Sequence, residues 1–94
     1  MITKEKVIEK LKEVKDPELN IDIYTLGLIY DIQIDEEGVA ILMTLTTPFC
    51  PYGNEIVESV EEKLKELNAL SVRVDITFDP PWEASRELRD MLGL

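Results

Sequence analysis

Between Leu28 and Phe78 the apolar residues change period twice, and this limits the folds open to the chain. Leu28, Tyr30, Ile32 and Ile34 alternate with Ile29, Asp31, Gln33 and Asp35, the period of a half-buried strand. Val39, Ile41, Met43 and Leu45 alternate in the same way with Ala40, Leu42, Thr44 and Thr46. The turn joining these strands, Asp35-Glu36-Glu37-Gly38, places a glycine where a positive φ is expected. From about Asn54 the spacing becomes helical. Ile56, Val57, Val60, Leu64 and Leu67 trace one stripe, and Glu55 and Glu58 complement the positive end of the helix dipole. Period two then returns at Val72, Val74, Ile76 and Phe78, and Asp79-Pro80-Pro81-Trp82 ends the run abruptly.

Two further helices flank this block. Thr3 is a suitable N-cap, and Val7, Ile8, Leu11 and Val14 form one apolar stripe after it. Asp16-Pro17-Glu18 stops that helix, because proline pushes its predecessor out of the α region. Residues 19–27 read as a loop or single turn ending at Gly27, and a short last helix runs from about Ser85 to Leu92 before Gly93. The order α-β-β-α-β-α predicts an α+β fold, with helices packed on one face of a small three-stranded sheet. At 94 residues the chain is one domain, residues 1–94. The pattern leaves open whether the third strand pairs with the first or the second.

Charge and side-chain inventory narrow the function. Twenty acidic groups against ten basic ones give a formal charge of −10, the wrong sign for gripping nucleic acid or anionic membrane. Residues 16–62 carry eleven carboxylates and no Lys or Arg, whereas residues 1–15 carry five Lys and three Glu. Such a run is either a solvated surface or a face for a basic partner. There is no histidine, which removes Ser-His-Asp triads, Cys-His dyads and histidine-based zinc sites within one chain. The single cysteine excludes an intrachain disulfide and suits a reducing cytoplasm. No signal peptide and no run long enough to span a membrane is visible, so a soluble, cytoplasmic protein is expected.

Three loops carry unusual residues. In Thr46-Thr47-Pro48-Phe49-Cys50-Pro51 the cysteine sits between two prolines, just ahead of the second helix. A helix N-terminus lowers a thiol pKa, whereas burial would make the same thiol an inert small hydrophobe. Asp16-Pro17-Glu18, followed by Asp22, is either turn chemistry or a set of hard acceptors. Asp79-Pro80-Pro81-Trp82 is either a rigid bend with a tryptophan lid over the core or an exposed anchor for a partner.

Together these loops resemble the metal–sulfur cluster assembly family that includes SufT- and PaaD-type proteins and the eukaryotic cytosolic iron–sulfur targeting factors. The resemblance spans essentially the whole chain. It rests on Asp16-Pro17-Glu18, on Asp22-Ile23 leading to Leu26-Gly27-Leu28-Ile29-Tyr30, on Leu45-Thr46-Thr47-Pro48-Phe49-Cys50-Pro51, and on Asp79-Pro80-Pro81-Trp82. It implies a fold similar to the C-terminal domain of NifU-type scaffolds, and a non-enzymatic helper in iron–sulfur protein maturation. In that role the chain is a cluster carrier, or an adaptor between scaffold and client proteins. Cys50 then matches the family's cluster or metal ligand. Asp16, Glu18, Thr46 and Thr47 match the residues shaping its pocket, and Asp79 and Trp82 are assigned to partner binding. Phe49 stands where the family often carries a small residue, which implies different access to the thiol.

Chemistry limits what the chain does alone. A cluster usually takes four protein thiolates or substitutes, and one Cys with no His does not supply them. The expected cofactor is therefore a labile iron–sulfur cluster or iron shared between chains, as in a homodimer joined at Cys50. The alternative is a pure interaction module whose cysteine is structural. A thiol enzyme or redox sensor ranks last, since it would lack both a histidine base and a resolving thiol.

Overall fold

The structure, a computed structural model, describes residues 2–36, 38–46 and 51–93. Its elements follow the expected order: α1 (Lys4–Leu11), β1 (Ile29–Ile34), β2 (Gly38–Met43), α2 (Gly53–Lys65), β3 (Ser71–Ile76) and α3 (Arg86–Leu92). Thr3 caps α1 by accepting the Lys6 N–H at 3.3 Å, and Ser85 caps α3 by accepting the Leu88 N–H at 3.1 Å. Gly93 closes α3 in the left-handed conformation at φ 73°. Among the described residues no helix is long and apolar enough to cross a membrane.

The sheet resolves the pairing that sequence left open. Its order is β1-β2-β3, with β1 antiparallel to β2 and β3 parallel to it. β2 is therefore central, and Val39, Ile41 and Met43 on its helix side are buried. Val7 and Leu11 of α1 and Ile56, Val60 and Leu64 of α2 complete that core, which is the stripe spacing expected of them. The opposite face bears Asp31, Gln33, Ala40, Leu42, Arg73 and Asp75, so the helices do lie on one side.

Two local expectations are corrected, and a third gains a further reason. The alternation in β1 breaks at a β-bulge: Ile29 pairs with Met43, but Asp31 pairs with Leu42. Tyr30 is the extra residue, so Ile29 rather than Tyr30 shares the helix side with Ile32 and Ile34. Both later strands stop two residues early, at Met43 and Ile76 instead of Leu45 and Phe78, although the Thr77 N–H still donates to the Met43 carbonyl at 2.9 Å. At Gly38, finally, the structure supplies a reason for glycine other than backbone φ. Its turn is held by the Asp35 carboxylate, which accepts the Gly38 N–H at 2.9 Å; Glu37 lies outside the described residues. Glycine is required at 38 for space, because a Cβ there would collide with the Ser71 carbonyl of the neighbouring strand.

The C-terminal ends of α1 and α2 are joined by a ring of charges. Lys10 lies 2.9 Å from Glu66 and 3.6 Å from Glu13, while Lys63 lies 3.3 Å from Glu13 and 3.8 Å from Glu66. The hydrogen bond to Glu66 raises the Lys10 ammonium above its ordinary pKa, and the same bond holds the Glu66 carboxyl below the usual carboxylate value. Glu66 thus stabilises the fold above the ordinary Glu pKa, and that contribution is lost as pH falls through its lowered folded value. Lys10 contributes below the ordinary Lys pKa and ceases to as pH rises through its raised one.

These features set two expectations. In urea titrations Gly38→Val should lose ~1–3 kcal/mol through overpacking against Ser71. Gly38→Asn should be no better tolerated than Gly38→Ala; rescue by Asn would mean that positive φ is the requirement after all. In the same assay Leu64→Ala should cost ~2–5 kcal/mol. Separately, the small stability gap between wild type and Glu66→Gln should close in acid and shrink with added salt, and a pH-independent gap would remove Glu66 from the ring.

Candidate functional site

The strand directions bring three loops to one end of the sheet. Because β3 is parallel to β2 and β1 antiparallel, the C-terminal ends of β2 and β3 lie beside the start of β1. Two bonds beyond the strands continue the joint: the Thr44 N–H donates to the Leu28 carbonyl at 2.8 Å, and the Thr77 N–H to Met43 at 2.9 Å. The loops before β1, after β2 and after β3 therefore meet there.

The first loop, residues 12–28, is folded on itself. The Asp16 carboxylate is nearly fully buried at 2% exposure and accepts the Glu18 and Leu19 N–H groups at 2.8 and 3.1 Å. Its backbone closes the same turn, with the Asn20 N–H donating to the Asp16 carbonyl at 2.7 Å and Asn20 in the left-handed region at φ 57°. Asp22 repeats the device, accepting the Thr25 N–H at 2.9 Å. Lys15 and Asp22 form an isolated antiparallel bridge, and Ile23, Leu26 and Leu28 are driven into the core. Gly27 then reverses the chain at φ 79°. Glu18 contributes its amide to this turn and leaves its side chain exposed.

The third loop crosses the sheet end from β3 to β1. Asp79 is exposed, and its N–H donates to Thr77 Oγ1 at 3.2 Å. The Pro80 carbonyl accepts the Tyr30 hydroxyl at 2.9 Å. Trp82 is half-buried against the core, and its indole N–H donates to the Leu26 carbonyl at 2.7 Å. The structure thus seats Trp82 as a lid fastened to the first loop, and Tyr30, which sequence assigned only to a strand, is the second fastener.

In the second loop Thr46 is half-buried, and the description resumes at Pro51. Thr47 and Cys50 lie outside the described residues. Leu45 and Gly53 frame the gap closely, since a Cβ on Gly53 would come 2.9 Å from Leu45 Cδ1. Thr44, fully buried, is a polar residue of this region that sequence reasoning passed over; its hydroxyl has the Leu45 carbonyl at 3.4 Å. Among the described residues no group of three or more Asp, Glu, His or Cys side chains is placed to hold a metal. By their places in the chain Thr46, Asp79 and Trp82 lie at one end of the sheet, with Trp82 tied to Leu26, while Asp16 is buried within the loop that leads into β1.

Comparison with known proteins agrees with this architecture. A family model described as iron-sulfur cluster assembly protein matches residues 4–76. The Fe-S protein maturation auxiliary factor SufT of Staphylococcus aureus is 45% identical over 71 residues, covering 73% of this chain and 81% of that protein. An iron-sulfur cluster carrier protein of Synechocystis is 35% identical over 94 residues, which is 99% of this chain but 27% of that longer protein. A solved structure, a conserved hypothetical protein of Thermotoga maritima, superposes with a TM-score of 0.86 at 47% identity over 99% of this chain and 96% of that one.

The loop geometry yields its own test. Asp16→Ala removes the acceptor for two amides and should cost ~1–3 kcal/mol in urea unfolding. Asp16→Asn keeps a carbonyl oxygen in place and should retain most of the stability. Equal losses in both would show that the negative charge, rather than the acceptor geometry, holds the turn.

Proposed function

The chain belongs to the iron-sulfur cluster assembly protein family, and from that premise we propose that it is a non-enzymatic auxiliary factor in iron–sulfur protein maturation. The observation that carries this reading is the extent of the likeness. Relatives named for Fe-S protein maturation and for cluster carriage match this chain across most of its length. In this reading the cluster is cargo, and Cys50 is its transient ligand. Asp16 shapes the surrounding loop through the backbone it holds, with Glu18, Thr46 and Thr47 as the remaining lining.

The donor set decides how such cargo is held. One thiolate and no histidine per chain cannot complete a cluster site, so the remaining ligands come from a second copy, a small thiol or a partner. Sharing makes the site labile, which is what transfer requires. The work is placed in the reducing cytoplasm, where a lone thiol stays available. Scaffold and client proteins are the proposed partners, and Asp79 with the exposed edge of Trp82 is the surface assigned to them.

One observation favours the adaptor form of the reading. Asp16 is buried with its carboxylate bonded to amides, and the Trp82 indole N–H is bonded to Leu26. Both residues serve the shape of the loop cluster, Asp16 through one carboxylate oxygen that takes two amides and Trp82 through its indole N–H. An adaptor needs that rigid shape more than it needs ligands.

Anaerobic reconstitution with ferrous iron and sulfide separates the two forms. Wild type should develop a visible chromophore on a species heavier than one chain by native mass, and Cys50→Ala should not. A chromophore that persists in Cys50→Ala removes the ligand role. No chromophore in either protein leaves the adaptor, to be tested by client maturation with the same variants.

A further inference from the structure

Tyr52, Ile76 and Phe78 expose 38%, 37% and 41% of their surfaces, an unusual set for one end of so small a domain. Their positions in the fold are related. Ile76 pairs with Met43 and so faces the helix side, Thr77 is bonded to Met43, and Phe78 follows at the strand's end. Tyr52 is the N-cap residue of α2, next to Gly53, which lies against Leu45 two residues beyond Met43. Ile76 thus faces the helix side of the sheet's loop end, and Tyr52 and Phe78 are exposed beside that end, at the start of α2 and just beyond β3.

The charged residues nearest this patch along α2 and after β3 are acidic. Glu55 stands one turn along α2 from Tyr52, and Asp79 adjoins Phe78; both are exposed, and neither makes an ion pair among the described residues. Arg73, the basic residue of β3, is held by Asp75 at 2.8 Å. Residues 16–62, which lead up to the patch, carry no Lys or Arg. A second copy of this chain is disfavoured as the occupant, because two acidic rims on chains of charge −10 would meet.

We propose that Tyr52, Ile76 and Phe78, rimmed by Glu55 and Asp79, form a docking surface for a partner protein segment that presents apolar anchors between Lys or Arg side chains. The inference rests on the maturation-factor reading for its biological setting and adds the chemistry of the partner. The apolar centre supplies affinity by excluding water, and the acidic rim supplies orientation and on-rate.

The test uses a labelled amphipathic peptide with Leu and Trp on one face and Lys on the other, and a control with Glu in place of Lys. Binding to the full chain is followed by fluorescence anisotropy and mapped by amide chemical shifts. The basic peptide should bind and the acidic one should not, with shifts centred on residues 52–55 and 76–79. Phe78→Ser should weaken binding about tenfold or more, the loss typical of a central anchor. Leu70→Ser, which removes another exposed leucine (84% exposed), should leave it unchanged. Equal loss in Leu70→Ser, no loss in Phe78→Ser, or shifts centred elsewhere would overturn the proposal. Tyr52→Ser with an unchanged far-ultraviolet spectrum guards against a folding artefact. Cluster reconstitution in Phe78→Ser should match wild type, so failure of the docking surface and failure of the Cys50 reading give different results.

Discussion

The parallel pairing of β3 with β2 is the constraint on which the rest of the molecule depends. A parallel partner cannot be reached by a hairpin, so the chain after β2 must return the length of the sheet before β3 begins. α2 makes that return, and its stripe of Ile56, Val60 and Leu64 covers the central strand as it does so. The same geometry places the end of β2, the start of α2 and the end of β3 together, and the antiparallel β1 adds its own beginning to the group. The segments that leave β2 and β3 and the one that enters β1 therefore share one end of the sheet. Gly38 is the local condition for the pairing, since the Ser71 carbonyl occupies the space of a Cβ.

Loop convergence becomes a defined surface only because the loops are bonded to one another. Trp82 reaches Leu26, and Tyr30 reaches Pro80, so the segment after β3 is fastened at two points to the segment around β1. Buried Asp16 fixes the turn that delivers Ile23 and Leu26 into the core, and Leu26 in turn offers the carbonyl that Trp82 takes. Polar groups in this region are thus satisfied internally, as burial demands, and their conformational role follows from that satisfaction.

Elements whose identity depends on periodicity were readable in the sequence: the order of helices and strands, the faces of α1 and α2, the cap at Thr3 and the stop at Gly93. What depends on contact between distant residues was not. The bulge at Tyr30 inserts one residue into the ladder without any change in the alternating pattern. Gly38 has the sequence context of a turn glycine, yet its requirement comes from Ser71, thirty-three positions later. The span 19–27 reads as a connector because its apolar residues follow neither period, and only a folded loop makes Ile23 and Leu26 core. Asn20 was the available hint, being among the few residues that tolerate its left-handed conformation. For the site, the sequence held the residue types and their order, while the division between groups tied into the fold, such as Asp16 and Trp82, and exposed ones, such as Glu18 and Asp79, required the hydrogen bonds.

Charge placement joins the architecture to the functional reading. Lys10 and Lys63 are engaged in the ring that links the C-terminal ends of α1 and α2, and Arg73 is engaged by Asp75. The basic groups that are not so engaged lie in the N-terminal segment, at Lys65 and in α3, so the acidic run from 16 to 62 is largely uncompensated. An acidic surface of this kind favours partners with basic faces. That bears on how cargo is held, because a single-thiol chain without histidine needs donors from another molecule. If the second molecule is a partner drawn in by charge, docking and ligation are one event, and release of the partner is release of the cargo. Carrier and adaptor are then two descriptions of one complex, distinguished by whether the thiol of this chain is among the ligands while the complex lasts.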